Sequence, residues 1–185
     1  AVAYFLFSHC VSRMQGAASS QRGLFNYRQI KPIDIILART LTEAVMMLVV
    51  AGVFVLGWIW FGQPMRIQDP LMMFAALLLL YVLGVALGLI FEVYGTVFPD
   101  MRRIFGMAMR PMLFISGLFF SMEMVPHVYR PLLFWNPVLH AVDLVRDAVI
   151  HGYTSPGSLL YVCCCALVLL FFGLSAYRRY LYRLI

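Results

Sequence analysis

The chain has 185 residues, of which 63% are hydrophobic and only 12% charged, with a net charge of +6. So little polar surface excludes a soluble globule and indicates an integral membrane protein, and the helix-length apolar runs described next make its expected fold class all-α. The positive excess falls in patches along the chain, so it reports membrane topology and gives no sign of a nucleic-acid partner.

The opening residues, AVAYFLFSHCV, lack the basic n-region and small-residue cleavage site of a signal peptide. They read as a truncated span over about 1–12, which makes the chain an expected fragment that begins inside a helix. A bilayer core of ~30 Å takes about 20 apolar residues in a helix. Apolar stretches of that length lie at 40–61, 71–91, 104–122 and 158–177, inside spans set at about 37–62, 71–98, 102–122 and 158–177. Between the truncated span and the next lies a basic, proline-broken connection at 13–36, with Pro32 marking the start of the following helix.

Eleven basic residues (Arg13, Arg22, Arg28, Lys31, Arg39, Arg102, Arg103, Arg110, Arg178, Arg179 and Arg183) fall in or near alternate connections and the tail. The others hold only Arg66, Arg130 and Arg146. The positive-inside rule therefore puts 13–36, the turn near 99–103 and the C-terminal tail in the cytoplasm. Trp58, Trp60 and Phe61 at the outer edge and Tyr177, Tyr180 and Tyr182 at the inner one suit the headgroup level.

Residues 123–157 are apolar but carry Glu123, Arg130, Asp143, Arg146 and Asp147, too many charges for a span. In NPVLHAVDLVRDAVIHG, Asn136 suits a helix cap, Pro137 the first helical position and Gly152 the end. With VPHVYRPLLFW before it, the segment reads as two short helices that dip into the outer leaflet and return. Membranes tolerate this where protein covers the irregular backbone.

Motifs for catalysis are missing. The only lysine, Lys31, lies between Ile30 and Pro32, so there is no P-loop, and neither H-E-x-x-H nor G-x-S-x-G occurs. His140, Asp143, Asp147 and His151 share one helical face, which suits either a metal or a polar stripe toward water or a partner subunit; no metal is assigned. Cys10 and the run Cys163, Cys164 and Cys165 form no C-x-x-C pattern and read as packing residues. Charges within spans are more informative because each is costly unless paired. Glu92 and Arg110 lie at similar counts on either side of the turn near Asp100 and are expected as a buried pair. Arg110 has a second reading, as a channel residue that meets an anionic substrate. Arg39 and Glu43, four apart, read as an internal pair. Aromatic residues at the outer end, among them Phe119, Phe120, Tyr129, Phe134 and Trp135, suit sugar faces as well as packing.

Two segments, GLFNYRQIKPIDIILAR and ISGLFFSMEMVPHVYRPLLFWNPVLHAVDLVRDAVIHGY, closely resemble the permease subunit of type 2 ABC exporters, specifically the capsule polysaccharide export permeases of Gram-negative bacteria. Within FWNPVLHAVDLVR, the positions of Asn136, Pro137, His140 and Arg146 match the family pattern. The resemblance implies a six-helix permease fold, here without its first span and N-terminal interface helix, and with re-entrant helices before the last span. It implies a second permease copy, a cytoplasmic ABC ATPase that binds the ATP and Mg which this chain does not, a periplasmic adaptor and an outer-membrane export protein. The implied substrate is lipid-linked polysaccharide crossing the inner membrane. O-antigen and teichoic acid exporters, and drug or lipid exporters of the same fold, are alternatives. A membrane-embedded glycan transferase is another, though the converging acidic or His residues it needs are not found.

A permease without its own nucleotide site needs a surface through which another protein moves it. RMQGAASSQRG suits a short helix along the inner face, and LFNYRQ offers Leu24, Phe25 and Tyr27, flanked by Arg22 and Arg28, as anchors for a partner's pocket. The alternative is a loop held by anionic lipid. At the outer end, Tyr129, Arg130 and Trp135 are the candidate glycan contacts.

Overall fold

The computed structural model describes residues 2–17, 20, 31–60, 69–118, 130–149 and 155–184. These form helices α1 (Val2–Met14), α2 (Pro32–Trp60), α3 (Pro70–Val97), α4 (Pro99–Ile115), α5 (Arg130–Leu133), α6 (Pro137–Val149) and α7 (Leu159–Leu184). Among the described residues there is no strand. Pro32–Gly57, Pro70–Val97 and Leu159–Leu181 are each long and apolar enough to cross a membrane.

Proline sets where several of these helices begin. Pro32 occupies the first position of α2, and the Asp34 carboxylate reaches back to accept the Lys31 amide at 3.0 Å, satisfying a donor just outside the helix. Phe98 closes α3 and opens α4, with φ −127° and ψ 96°, because the ring of Pro99 drives the residue before it out of the α region. The two helices fold back about that residue: Phe91 and Phe105, each seven positions from Phe98, stack with centroids 4.0 Å apart.

α4 stops at Ile115, short of the boundary expected for the span at 102–122. Gly117 takes φ 73°, the left-handed conformation that ends helices, and Ser116 is the capping residue. α7 runs beyond 177 to Leu184, since nothing in AYRRYLYRL breaks a helix.

α3 is the central element, contacted by α1, α4, α6 and α7. Tyr4, Phe7 and Val11 of α1 pack with Leu80 and Leu83 of α3, and this cluster continues into α6 and α7. α1 crosses α3 at Gly84 and Gly88. A Cβ at Gly84 would lie 3.0 Å from Cys10 Cβ and 3.2 Å from the Phe7 carbonyl, and one at Gly88 would overlap Met14 Sδ. In a bilayer, lipid is as apolar as leucine, so such close approach supplies the van der Waals contact that holds helices together. α2 and α4 give this core less: α4 packs Met109, Met112 and Leu113 against it but buries none of its residues, and α2 buries Ile35 and Ile36 while exposing Leu41, Leu48, Val53, Phe54 and Leu56.

Candidate functional site

Polar groups collect at the two ends of the bundle. At the outer end, α6 lies on the core with Val138, Leu139, Ala141, Val142 and Leu144 buried, and this burial carries His140 and Asp143 inward with them. Asn136 caps the helix, its Oδ1 accepting the Val138 amide at 3.0 Å, while its Nδ2 donates to the Ile115 carbonyl at 3.4 Å. The Phe134 carbonyl lies 2.9 Å from His140 Nε2, and Ser158 N–H donates to Nδ1 at 3.3 Å. With Nδ1 accepting from Ser158, Nε2 is the ring atom placed to donate to the Phe134 carbonyl.

Asp143 is fully buried. It accepts the Ser155 hydroxyl at 2.8 Å and pairs with Arg146 at 3.4 Å. Arg146 donates in turn to the Gly117 carbonyl at 2.9 Å, placing its cation at the negative end of the α4 dipole. The network thus joins three chain segments: the end of α4, the buried face of α6, and the 155–158 stretch that leads into α7. Asn136, His140 and Arg146 all belong to it, with Pro137 opening the helix that carries them.

Asp143 enters as the anionic centre of the network, a role its place in a helical stripe does not announce. Ser155 and Ser158 come from a loop, beyond the reach of helical periodicity. Their legible signal was the pattern S-P-G-S before an apolar run, and Ser158 does accept the Tyr161 amide at 3.4 Å in the manner of a helix cap. Both ring nitrogens of His140 are engaged within the protein, and the described residues include no cluster of three His, Cys, Asp or Glu placed to hold a metal. Beside the network Trp135 is 83% exposed, its carbonyl accepting the Tyr161 hydroxyl at 2.9 Å. Arg130 is half-buried at the head of α5. Tyr129 and His151 lie outside the described residues.

The inner end joins both sides of the basic connection to the core. Fully buried Glu92 of α3 accepts the amide of Gly16, just past the end of α1. The expected pair with Arg110 is not made: Arg110 is exposed on α4. The register about Phe98 explains this, because Glu92 is six residues before it and Arg110 twelve after, a difference in depth of ~9 Å at 1.5 Å per residue. Arg39 and Glu43 likewise do not pair with each other. Glu43 takes Arg13 at 3.0 Å and His9 at 3.5 Å, both from α1, and Arg39 donates to Ser20 Oγ at 2.6 Å. On the far side of the connection, the Ile33 amide, one of the donors a helix start leaves over, is accepted by Tyr177 of α7 at 3.3 Å. Arg22, Leu24, Phe25, Tyr27 and Arg28 lie outside the described residues.

The family model for ABC-2 type transporters matches residues 1–150 of this chain. The chain belongs to the ABC-2 type transporter family. It is 40% identical over 181 residues to the polysialic acid transport protein KpsM of Escherichia coli, a match that spans 96% of this chain and 69% of that protein. It is 26% identical over 184 residues to the capsule polysaccharide export inner-membrane protein CtrC of Neisseria meningitidis, spanning 95% of this chain and 66% of that protein. To the capsule polysaccharide export inner-membrane protein BexB of Haemophilus influenzae it is 28% identical over 153 residues, spanning 80% of this chain and 54% of that protein. In this ABC-2 chain the helical bundle carries the buried polar network of α6 at one end, and the two flanks of its basic connection at the other.

Proposed function

We propose that the chain is the transmembrane permease part of an ATP-driven exporter that carries capsular polysaccharide, as a lipid-linked glycan, across the inner membrane. The observation that carries this reading is the 40% identity, over 96% of the chain, to a polysialic acid transport protein. The sequence has no P-loop, so the ATP and Mg belong to a cytoplasmic ATPase partner. A second permease copy completes the conduit, and a periplasmic adaptor and an outer-membrane protein carry the glycan onward.

The coupling element in this reading is the connection centred on Arg22, Leu24, Phe25, Tyr27 and Arg28. Its flanks support the assignment: Gly16 is hydrogen-bonded to Glu92 of α3 on one side, and Ile33 to Tyr177 of α7 on the other. A push on the connection is thereby delivered to two helices of the core. At the exit, Tyr129, Arg130 and the exposed face of Trp135 contact the glycan.

The test is complementation of export in a host that lacks the full-length permease. Phe25→Ala with Tyr27→Ala is expected to abolish both ATPase co-purification and surface polysaccharide. Replacing Tyr129, Arg130 and Trp135 together is expected to leave the ATPase bound while surface polysaccharide falls. Export that persists in both variants would sink the assignment of both ends, and failure of the unaltered protein to restore capsule would overturn the substrate.

A further inference from the structure

We propose that the groove between α3 and α7 at the inner end of the bundle binds an anionic phospholipid of the inner leaflet through its phosphate. The two helices run in the same direction. They touch where Gly173 lets α7 approach the Ala86 carbonyl, a Cβ there lying only 3.2 Å from that oxygen. Toward the inner end a groove of about 360 Å³ opens between the two helices, lined by Ile90 and Tyr94 of α3 and by Phe172, Ser175, Arg179 and Tyr180 of α7. Tyr94 and Tyr180 meet edge to face with centroids 6.1 Å apart, and the Arg179 guanidinium lies 5.7 Å from the centroid of the Tyr180 ring.

The lining is divided as a phospholipid is divided. Arg179, with the hydroxyl of Ser175 one turn earlier on the same face, lies within the last turn of the apolar stretch that ends at Leu181, where headgroups sit. Ile90 and Phe172 lie deeper and suit an acyl chain. A guanidinium presents paired N–H donors that match phosphate oxygens, and basic pockets between spanning helices on the cytoplasmic side suit anionic headgroups. Charge selects this occupant over another helix. Among the described residues no carboxylate pairs with Arg179, so an apolar helix face laid over the groove would desolvate the cation without compensating it, whereas a phosphate neutralises it.

The experiment uses the full-length permease with its ATPase, placed in nanodiscs of equimolar phosphatidylglycerol and phosphatidylcholine, with retained lipid measured after extraction into mild detergent. The unaltered complex is expected to retain phosphatidylglycerol several-fold over phosphatidylcholine. Arg179→Gln should remove that preference, and Ser175→Leu, which fills the groove without changing charge, should remove it too. Arg178→Gln, the same loss of charge at a neighbour that does not line the groove, should leave it intact. Equal losses for Arg178→Gln and Arg179→Gln would overturn the site in favour of diffuse attraction to the surface. No preference in the unaltered complex would overturn it outright, the result expected if another part of the full-length protein fills the groove. Displacement of the lipid by soluble glycerol phosphate would show a free-phosphate site and overturn the lipid assignment.

Discussion

α6 places His140, Asp143, Arg146 and Asp147 within thirteen residues and buries eight of the thirteen. α2 has no charged residue from Ala44 to Trp60, and there its apolar side chains stand mostly exposed. A soluble protein would arrange these two the other way round. The bilayer explains the inversion: lipid solvates an apolar helix at little cost, so α2 needs no protein cover, while an unsatisfied polar group has no water to turn to. α6 is held at the outer end where Ser155, Ser158, Phe134 and Gly117 take up polar atoms of its buried face. Burial in this molecule follows unmet hydrogen-bonding need as much as hydrophobicity.

Breaking the pair inside α6 is the most severe test of that comparison. Arg146→Met removes the cation paired with the fully buried Asp143 carboxylate and the donor to the Gly117 carbonyl. Loss of one partner of such a pair costs about 3 kcal/mol, so the melting temperature of the purified full-length protein should fall markedly. Arg146→Met combined with Asp143→Leu removes both charges and should recover part of that loss. A single variant as stable as the parent would mean that water reaches Asp143 and that α6 is not protein-covered in the sense argued.

How much of this was legible in the sequence depends on how many elements a feature involves. Pro32, the Phe98–Pro99 break and the Asn136–Pro137 helix start are each written within a few consecutive residues, because they follow from backbone sterics and a local cap. Pairings between helices are not local, and two expectations failed for that reason. Arg39 and Glu43 have the spacing of an intrahelical pair, yet α1 brings Arg13 and His9 to Glu43, Ser20 beyond its end reaches Arg39, and both residues bond across instead. Glu92 and Arg110 looked level when counted from Asp100, but the chain turns at Phe98, and the small shift in the pivot separates them in depth. The crossing of α1 over α3 did have a signal, the G-x-x-x-G of Gly84 and Gly88, whose meaning appears only once a partner helix is in place.

That crossing supplies the intermediate test. Gly84→Leu pushes a side chain against the backbone of α1 at Phe7, which cannot move aside as a flexible side chain would. Overpacking of this kind costs about 1–3 kcal/mol. Gly88→Ala should cost less, because the nearest atom is the sulfur of Met14, at the mobile end of its side chain. Thermal unfolding in detergent that ranks Gly84→Leu as the milder of the two would contradict the placement of α1.

The smallest effect is expected on α2, and its smallness is what makes it informative. A Cβ at Gly52 would meet nothing within 4 Å, so Gly52→Leu inserts a large apolar side chain into open space beside the helix. Exposed substitutions of this kind stay within about 0.5 kcal/mol, and replacing a mid-helix glycine adds up to ~1 kcal/mol of helix propensity. The melting temperature should therefore hold or rise slightly, in contrast to the same change at Gly84. Chemical cross-linking between permease copies, measured on the same variant, divides the exposed faces further. If cross-linking also holds, Gly52 faces lipid; if it falls while the fold remains intact, this stretch of α2 is where the proposed second copy sits, and its exposure in a single chain is the mark of a subunit contact.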